Sequence, residues 1–482
     1  MQPSCAPASA CRRPGSVGEV TDVVVVSNRG PLSFRLEGGS PVLAGSGGGL
    51  ASTLHSLLAG SGAMWVSSAM GEADRIAKAQ GLMREDGIEL VTVEPDDDVY
   101  RMAYNVVSNA TLWFCHHHLW DLARRPRFDR HWHEAWDAYR TFNGQVADAV
   151  AAHAPDDARV LVQDYHLALV GAALARTRPD LRTVYFLHTP FADPAMMHAL
   201  PSGVAGELLA AMAGFGSCGF HTARWEASFL AAYADHALAS DAGTSTPPPT
   251  FVDPLGPDPD VIARTAAQPE VERARRKLEE EVGDRKLIVR VDRVELSKNI
   301  LRGMWAYEEL LETKREWRGR VVFLNLAYPS REGLPEYLAY RAEIEHTAER
   351  INEAWGDADW RPVVLAIADD RARSVAALSA YDVLLVNPVR DGMNLVAKEG
   401  PLVNDRNGTL LLSREAGAWE ELHAAAVGVN PFDVSATAEA MCHALVMGET
   451  ERASRAEALR KLVRAQSAAD WLARQLEVAA AL

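Results

Sequence analysis

The sequence predicts two α/β domains, each built on a parallel sheet with helices on both faces. Short, entirely apolar segments recur in both halves of the chain, and amphipathic helical segments separate them. Such segments indicate strands that are buried on both faces, as in parallel sheets. At 482 residues the chain is also too long for one hydrophobic core. This alternation in both halves predicts two Rossmann-like domains.

The first domain is predicted to span residues 21–250, after a tail at 1–20. The tail is rich in small residues and proline and lacks an apolar core, so we expect disorder rather than a signal peptide. Helical segments such as 131–154 separate four strand candidates: DVVVVSNRGP, AMWVSSAM, RVLVQDYHLAL and TVYFLHTPF. This alternation is typical of a doubly wound sheet.

A proline-rich stretch at 244–262 is predicted to link the domains. The alternation restarts after it, which predicts a second domain over 251–465. Its strand candidates are KLIVRVDR, VVFLNLAY, PVVLAIA and YDVLLVNP. From Arg452 onward the chain is rich in Ala, Leu, Arg and Glu and predicts a long helix, of which 466–482 forms a C-terminal segment.

Charge and cysteine content exclude several classes of protein. The net charge of −16 argues against nucleic acid or an anionic membrane as a partner, since both require clustered positive charge. No apolar run approaches the length of a membrane span. Five scattered cysteines without metal-ligand spacing fit free thiols in a reducing cytoplasm. A homo-oligomer remains open.

Polar residues follow the apolar strands of the first domain. Arg29 follows the first strand candidate, and Asp164 and His188 end two later ones. Ligands of doubly wound sheets bind beyond the carboxyl ends of strands, so these side chains are candidates for a site. A lone histidine is nevertheless more often a structural residue than a catalyst.

A glycine-rich loop, GSGGGL at 45–50, precedes a helix-like segment. Glycines such as Gly48 and Gly49 allow backbone N–H groups to approach a phosphate closely. Such a loop alone is as compatible with a flexible linker, and the helix directly after it favours an anion site.

Two cations follow the first strand of the second domain. Arg293 and Lys298, five residues apart, could neutralise a leaving diphosphate. The stretch PVRDGMNLVAKEG at 388–400 then joins a glycine turn to a helix start. Helix N-termini bind phosphates, and the carboxylates of Asp391 and Glu399 can accept hydrogen bonds from hydroxyl groups. The combination predicts a sugar-nucleotide site.

The 388–400 stretch resembles the donor-sugar loop of the trehalose-6-phosphate synthases, which are retaining glycosyltransferases of GT-B architecture. The resemblance covers about residues 22–475 and includes DYHL at 164–167 and the HTPF segment at 188–191. It implies two Rossmann-like domains facing each other across a cleft, with the C-terminal helix returning to the first domain.

The resemblance also implies roles for individual residues. Catalytic roles fall to Asp164, His188, Arg293 and Lys298. The acceptor site would comprise Arg29, Tyr104, Trp113, Asp164 and Arg331, with both arginines at the acceptor's 6-phosphate. The donor site would comprise Gly48, Gly49, His188, Arg293, Lys298, Asp370, Asp391, Gly392, Met393, Asn394, Leu395 and Glu399.

The chain departs from the family pattern at several positions. The family motif RLDYSKG is matched at Arg293 and Lys298 but altered at Glu295 and Asn299, changes that we expect not to touch the cations. The family's first-domain tryptophan is replaced near Ser68. In the base-binding loop, 369–371 carry Asp, Asp and Arg where relatives carry an aromatic residue. Carboxylates there could accept from guanine, which slightly favours GDP-glucose over UDP-glucose.

The sequence thus predicts a glucosyltransferase that makes α,α-trehalose 6-phosphate from a nucleoside-diphosphate glucose and glucose 6-phosphate. No cofactor and no metal are expected, because cations and helix dipoles can stabilise the leaving group and the histidine clusters lack ligand spacing. One alternative is a related transferase or pseudo-glycosyltransferase with another phosphorylated acceptor. A second is a non-catalytic sugar-phosphate sensor.

Overall fold

The structure, a computed structural model, describes residues 21–44, 49–85, 87–239 and 246–482. Strands and helices alternate through both halves, as predicted. The strands of the first half are β1 (Val23–Arg29), β2 (Phe34–Glu37), β3 (Ser40–Leu43), β4 (Ala63–Ser68), β5 (Ile88–Val93), β6 (Arg159–Gln163), β7 (Arg182–Leu187), β8 (Ser217–Phe220) and β9 (Thr250–Val252).

Strands β2 and β3 pair as an antiparallel hairpin, and the other seven form one parallel sheet. Its order is β5-β4-β1-β6-β7-β8-β9, so the order reverses between β1 and β6. Alternate residues of β1 pack on opposite faces: Val24 and Val26 belong to one core cluster, and Val23 and Val25 to another. The all-apolar sequence of β1 follows from this burial on both sides.

Helices cover both faces of the first sheet. A π-helical stretch, Met102–Leu112, joins two of them, and a single 3₁₀ turn spans Tyr165–Leu167. The α-helices are α1 (Gly49–Leu58), α2 (Glu72–Ala79), α3 (Asp97–Arg101), α4 (Trp113–His117), α5 (Arg130–His153), α6 (Val170–Thr177), α7 (Pro194–Met197), α8 (Ser202–Met212) and α9 (Ala223–Ala239).

The second half forms a parallel sheet of its own. Its strands are β10 (Lys286–Arg293), β11 (Val321–Tyr328), β12 (Val363–Ile367), β13 (Val383–Val386), β14 (Thr409–Ser413) and β15 (Val427–Val429). They are arranged in the order β12-β11-β10-β13-β14-β15, so this order reverses between β10 and β13. The two reversals mark equivalent places in two Rossmann-like domains.

The helices of the second half pack on both sides of that sheet. They are α10 (Pro259–Ala266), α11 (Pro269–Val282), α12 (Ile300–Thr313), α13 (Pro335–Trp355), α14 (Arg371–Ala380), α15 (Val396–Val403), α16 (Trp419–Leu422), α17 (Val434–Val446), α18 (Glu449–Arg464) and α19 (Ala468–Ala480). Single 3₁₀ turns span Leu296–Lys298 and Arg315–Trp317.

The predicted linker at 244–262 is more structured than its prolines suggested. Part of it forms β9, which adds to the edge of the first sheet through β8, and α10 begins at Pro259. The prolines fit this structure because none lies within β9 and because proline suits the first turn of a helix. Residues 240–245 lie outside the described part. The domain boundaries themselves remain predictions.

The C-terminal region contains two helices rather than one. Helix α18 packs on the second domain through Leu459 and Val463, and α19 packs on the first through Trp471 and Leu472. Ser467 starts α19 with a capping box, since its side chain and that of Asp470 satisfy each other's backbone N–H groups. This cap explains why the helix restarts and lets the chain return to the first domain, as predicted.

In the part of the chain that the structure describes, no helix has the length and apolar character needed to cross a membrane.

Candidate active site

Each sheet reverses its strand order once, and open α/β sheets bind ligands in the crevice at such a reversal. In the first sheet, β1 ends at Arg29 and Asp164 directly follows β6. In the second, β10 ends at Arg293 and Asp391 follows β13. Four predicted site residues therefore lie at these two crevices.

An ion pair between Lys298 and Asp391 lies at the second crevice. The Lys298 Nζ is 2.6 Å from Oδ2 of Asp391 and 4.0 Å from Oδ1 of Asp292. Asn394 also donates to Oδ2 of Asp391, over 3.1 Å. Burial disfavours the charged ammonium, but the nearby carboxylates outweigh it, and the pKa of Lys298 lies above its ordinary value. Lys298 is therefore a permanent cation at this crevice.

Glu295 is a fully buried carboxylate between two predicted anion-binding arginines. Its Oε1 lies 3.1 Å from Nε of Arg293 and accepts from the guanidinium of Arg331 and, over 2.9 Å, from Oγ of Ser330. Burial alone would raise the pKa of Glu295, but the positive charges of Arg293 and Arg331 lower it to about 2. The carboxylate is thus ionised and joins the two arginines.

The expectation that the change at Glu295 leaves the cations untouched is therefore wrong. Glu295 contacts one arginine of the predicted donor site and one of the predicted acceptor site. Asn299, the other altered position, has a φ of +61° and donates to the carbonyl oxygens of Asn387 and Pro431. Asparagine tolerates this left-handed conformation, so it can replace the family's glycine.

Arg331 extends from the second domain into the first. Its Nε donates to Oδ1 of Asn109 over 2.9 Å, and another guanidinium nitrogen lies 3.3 Å from the hydroxyl of Tyr165. The guanidinium carbon is 3.8 Å from the ring centroid of Trp113, within cation–π range. The structure thus brings the predicted acceptor residues Arg331 and Trp113 into contact.

Tyr104 and Arg29 lie on the same side of the cleft. The Tyr104 ring stacks between Tyr100, at 5.5 Å, and His166, at 5.6 Å. Burial, together with the positive charges of Arg331 and Arg29, lowers the pKa of His166 to about 3. Both predicted acceptor-phosphate arginines therefore act on one neutral histidine, while the Arg29 side chain stays exposed.

Asp164 is held by the neighbouring strand. Its Oδ1 accepts from the backbone N–H of His188 over 3.2 Å. Burial raises the pKa of Asp164 to about 6, although N–H groups of Tyr165 and His188 favour the ionised form. An ionised Asp164 can accept hydrogen bonds from sugar hydroxyl groups.

Three predicted site residues have positive φ angles, which are uncommon for residues other than glycine. The φ angles of Asp164, Arg331 and Asn394 are +73°, +48° and +79°. Such conformations are costly and concentrate where a side chain must point in a required direction. All three belong to the candidate site.

His188 takes part in a chain of buried hydrogen bonds. The N–H of Leu255 donates to Nδ1 of His221, whose Nε2 lies 3.1 Å from Nδ1 of His188. The Nε2 of His188 is 2.9 Å from Oε1 of Gln163, and the Gln163 amide donates to Gln475 on α19. Since His221 Nδ1 must accept, its Nε2 carries the proton, and His188 then donates from Nε2 to Gln163.

Both ring nitrogens of His188 are therefore bound by the protein. Burial lowers the pKa of His188 to about 3, so the ring is neutral. Its carbonyl oxygen closely approaches Gly392, where an added Cβ would lie 1.9 Å from that oxygen. The predicted contact of His188 with the donor sugar remains a prediction, and in this structure its backbone faces the donor loop.

The remaining donor-loop residues pack at the junction of the domains. The Gly392 carbonyl accepts from the indole of Trp225 over 2.9 Å, and Met393 is buried in the second domain's core. Leu395 packs against core clusters of both domains. Burial raises the pKa of Glu399, in the first turn of α15, while the charge of Arg371 opposes that rise.

Asp370 is the N-terminal cap of helix α14. Its carboxylate caps α14 and accepts from the backbone N–H of Arg373 over 2.9 Å. The cap satisfies a helix donor that would otherwise be unpaired. This engagement weakens the prediction that Asp370 recognises a base. Of the predicted glycine loop, Gly49 begins α1, and Gly48 lies outside the described residues.

Within the described ranges, no group of three or more His, Cys, Asp or Glu side chains is arranged to hold a metal ion. The ring of His117, in the histidine run at 116–118, instead stacks on Trp113 at 3.8 Å.

Sequence reasoning assigned no contact in the site to Glu295, His221, Trp225 or Gln475. Glu295 lies two residues after Arg293, so its spacing from a predicted cation was a usable signal. The other three act through partners 33 to 312 residues away. No local pattern marks such contacts.

Comparison with known proteins identifies relatives of the whole chain. The family profile of glycosyltransferase family 20 matches residues 21–480. A trehalose-6-phosphate synthase of Mycobacterium sp. (strain JLS) is 34% identical over 473 residues, 94% of each chain. A bifunctional trehalose-6-phosphate synthase/phosphatase of Thermoproteus tenax is 33% identical over 466 residues, which cover 93% of this chain and 62% of that protein.

Solved structures resemble the fold over nearly its full length. An E. coli protein bound with UDP-2-fluoro glucose has a TM-score of 0.81 and 29% identity, covering 95% of this chain and 98% of its own. An α,α-trehalose-phosphate synthase (UDP-forming) of Burkholderia xenovorans in complex with glucose-6-phosphate has the same TM-score and identity, covering 95% and 100%. These neighbours confirm the predicted GT-B architecture.

Proposed function

The chain belongs to glycosyltransferase family 20 and is a glycosyltransferase, and on that premise we propose that it makes α,α-trehalose 6-phosphate. It transfers glucose from UDP-glucose to the anomeric hydroxyl of glucose 6-phosphate, with retention at the donor carbon. Relatives of matching length are named trehalose-6-phosphate synthases, and similar structures hold UDP-2-fluoro glucose or glucose-6-phosphate.

The observation that carries the proposal is the arrangement around Glu295. One buried carboxylate contacts both Arg293, beside the Lys298–Asp391 pair, and Arg331, beside Trp113. The same carboxylate therefore lies between Arg293, the proposed cation for the donor's diphosphate, and Arg331, the proposed cation for the acceptor's phosphate. Such spacing suits two phosphorylated substrates whose reacting atoms, the donor's anomeric carbon and the acceptor's hydroxyl oxygen, meet in the same cleft.

The proposed chemistry is substitution on one face of the donor sugar. The bond from the anomeric carbon to the diphosphate breaks, and a bond to the acceptor oxygen forms on the same face. The acceptor's proton moves to the departing phosphate oxygen. Arg293 and Lys298 stabilise the negative charge that develops on that phosphate, and N–H groups of the 391–395 loop assist. Asp164 orients the acceptor by accepting from a hydroxyl group.

UDP-glucose is proposed as the donor in place of the GDP-glucose that the sequence slightly favoured. The Oδ1 of Asp370 is already engaged in capping α14, and a similar solved structure holds UDP-2-fluoro glucose. We expect a higher kcat/KM for UDP-glucose than for GDP-glucose, measured with glucose 6-phosphate as acceptor. Asp370→Asn keeps a capping side chain and should leave the ratio unchanged.

A higher kcat/KM for GDP-glucose would contradict the choice of base but not the transfer of glucose. If Asp370 reads guanine, Asp370→Asn would also lower the preference for GDP-glucose selectively, because a site built to bond one partner rejects its analogue.

The ionisation of Asp164 predicts that kcat/KM for the acceptor depends on pH. Its pKa is raised to about 6, so it loses its charge as the pH falls below that value. The acceptor's phosphate gains a proton in the same range. We therefore expect the logarithm of kcat/KM for glucose 6-phosphate to fall as the pH is lowered. Its limiting slope against pH should be about two in the wild type and about one in Asp164→Asn.

His188 and His166 have pKa values of about 3 and do not titrate in this window. Asp253, whose burial raises its pKa to about 7, provides the control. Asp253→Asn should keep the wild-type slope. An identical slope in wild type and Asp164→Asn would show that Asp164 is not the titrating group.

One observation favours a different phosphorylated acceptor as a second candidate. Ser68 pairs in register with Arg29, and its buried hydroxyl has no hydrogen-bond partner among the described residues. An acceptor with an extra polar group could bond there. A series of phosphorylated acceptors, compared by kcat/KM, separates this candidate from glucose 6-phosphate.

A further inference from the structure

Tyr328 ends β11 between two parts of the candidate donor site. In the parallel pairing of β10 with β11 it lies opposite Arg293, and its carbonyl accepts from the N–H of Val294 over 2.8 Å. On its other side, Ala327 is opposite Ile367, and the Ala327 carbonyl accepts from Ala368. The register therefore places Tyr328 between the leaving-group cation and the 368–371 loop.

The side chain points to the face of the sheet that carries the donor loop. Residues alternate between the two faces of a strand, and Tyr328 shares its face with Leu324 and Leu326. All three pack with the cluster that contains Met393 and Ala397. That cluster lies under the 391–399 segment, so the ring is on the side where the donor would lie.

Charged site residues act electrostatically on the Tyr328 hydroxyl. Burial raises the pKa of Tyr328, and the negative charges of Asp292, Glu399 and Asp369 raise it further, while Arg293 opposes them. These charges belong to the leaving-group site, the start of α15 and the 368–371 loop. Tyr328 is therefore close to all three.

The ring is only partly buried. Among the ring-to-ring and cation–ring contacts of the described residues, none involves Tyr328. The 368–371 loop has no aromatic side chain. A ring with a free portion of its surface is thus available where that loop cannot provide one.

We propose that Tyr328 is a donor-binding residue that packs its ring against the nucleoside of the sugar-nucleotide donor. This inference rests on the proposed function, because it assumes that the second crevice binds a nucleotide. Stacking of a base on an aromatic side chain depends on the ring and not on a hydroxyl, and it tolerates different bases. Tyr328 therefore contributes to binding of UDP and GDP alike, and not to binding of the diphosphate alone.

The test compares three variants of the full chain, with UDP, GDP and inorganic pyrophosphate as probes in calorimetric titrations. Tyr328→Ala removes the ring, Tyr328→Leu keeps apolar bulk against Leu324 and Leu326, and Tyr328→Phe keeps the ring without the hydroxyl. We expect UDP and GDP to bind about tenfold to a hundredfold more weakly to the Ala and Leu variants. The Phe variant should bind both within about threefold of the wild type, and the Kd of pyrophosphate should not change.

Thermal unfolding of the Leu variant near the wild-type Tm would show that the fold is kept. Unchanged nucleotide binding by this variant, or equal weakening of pyrophosphate and nucleotides, overturns the inference alone. A Phe variant as weak as the Leu variant also overturns it, because the hydroxyl would then be the contact. If the wild type bound neither nucleotide, the proposed function would fail and this inference with it.

Discussion

Lys298→Ala is expected to lower kcat at least about a hundredfold. The lysine is a buried cation whose ammonium lies 2.6 Å from Asp391, at the crevice where the proposed mechanism places the leaving diphosphate. Removing one preorganised charge or donor from a developing anion typically costs a factor of about 10² to 10³ in kcat. Steady-state kinetics with UDP-glucose and glucose 6-phosphate measure the effect. The KM of the donor should change less.

Lys314→Ala is the matched control. Its ammonium pairs with Glu439 at 2.9 Å after the end of α12, and the side chain is 31% exposed. Surface pairs of this kind contribute little, so the control should keep nearly normal kcat. A kcat of Lys298→Ala close to that of the control would remove Lys298 from the leaving-group role. Arg293→Ala should behave like Lys298→Ala.

Arg331→Ala is expected to raise the KM of glucose 6-phosphate about tenfold to a hundredfold. A guanidinium binds phosphate through charge-assisted hydrogen bonds, each worth about 1.5 to 3 kcal/mol. The KM of UDP-glucose should change much less, because Arg293 and Lys298, the proposed diphosphate cations, remain. Kinetics with each substrate varied at saturating levels of the other measure the split. Equal rises in both KM values would contradict the assignment.

Loss of Arg331 also leaves Glu295 with a buried charge and fewer partners. Breaking a buried ion pair costs about 3 to 5 kcal/mol, so stability must be separated from binding. The double variant Arg331→Ala with Glu295→Gln removes both charges. We expect it to recover part of the free energy of unfolding while keeping the raised KM for the acceptor. Recovery of acceptor binding in this variant would show that Arg331 acts only through stability.

The sequence predicted the parts of the fold that depend on local pattern. The apolar runs of β1, β6, β7 and β10 gave the strands, because a strand buried on both faces has no polar alternation. The polar residues at the ends of those runs, Asp164 and Arg293, were predictable as site residues, because parallel strands end at one edge of a sheet. The capping box at Ser467 carries a recognisable signature, yet the composition of the region predicted one continuous helix.

The rest depends on contacts between distant segments. The hydrogen-bond chain through His188 ends on Gln475, 312 residues from its partner Gln163. These hydrogen bonds connect His188 to helix α19. The family motif alone predicts no partner for Glu295, and only the fold shows that Arg331, 36 residues later, contacts its carboxylate. The role of Asp370 as a helix cap likewise depends on α14 beginning at Arg371.

The most direct test of the proposed function is the structure of the reaction product. The purified chain is incubated with UDP-glucose and glucose 6-phosphate, and the product is analysed by mass and by proton NMR of its anomeric positions. Glucose joined to glucose 6-phosphate through two α-anomeric carbons is the predicted result. A product with a β configuration at the donor carbon, a linkage to another hydroxyl, or no transfer to glucose 6-phosphate would contradict the account.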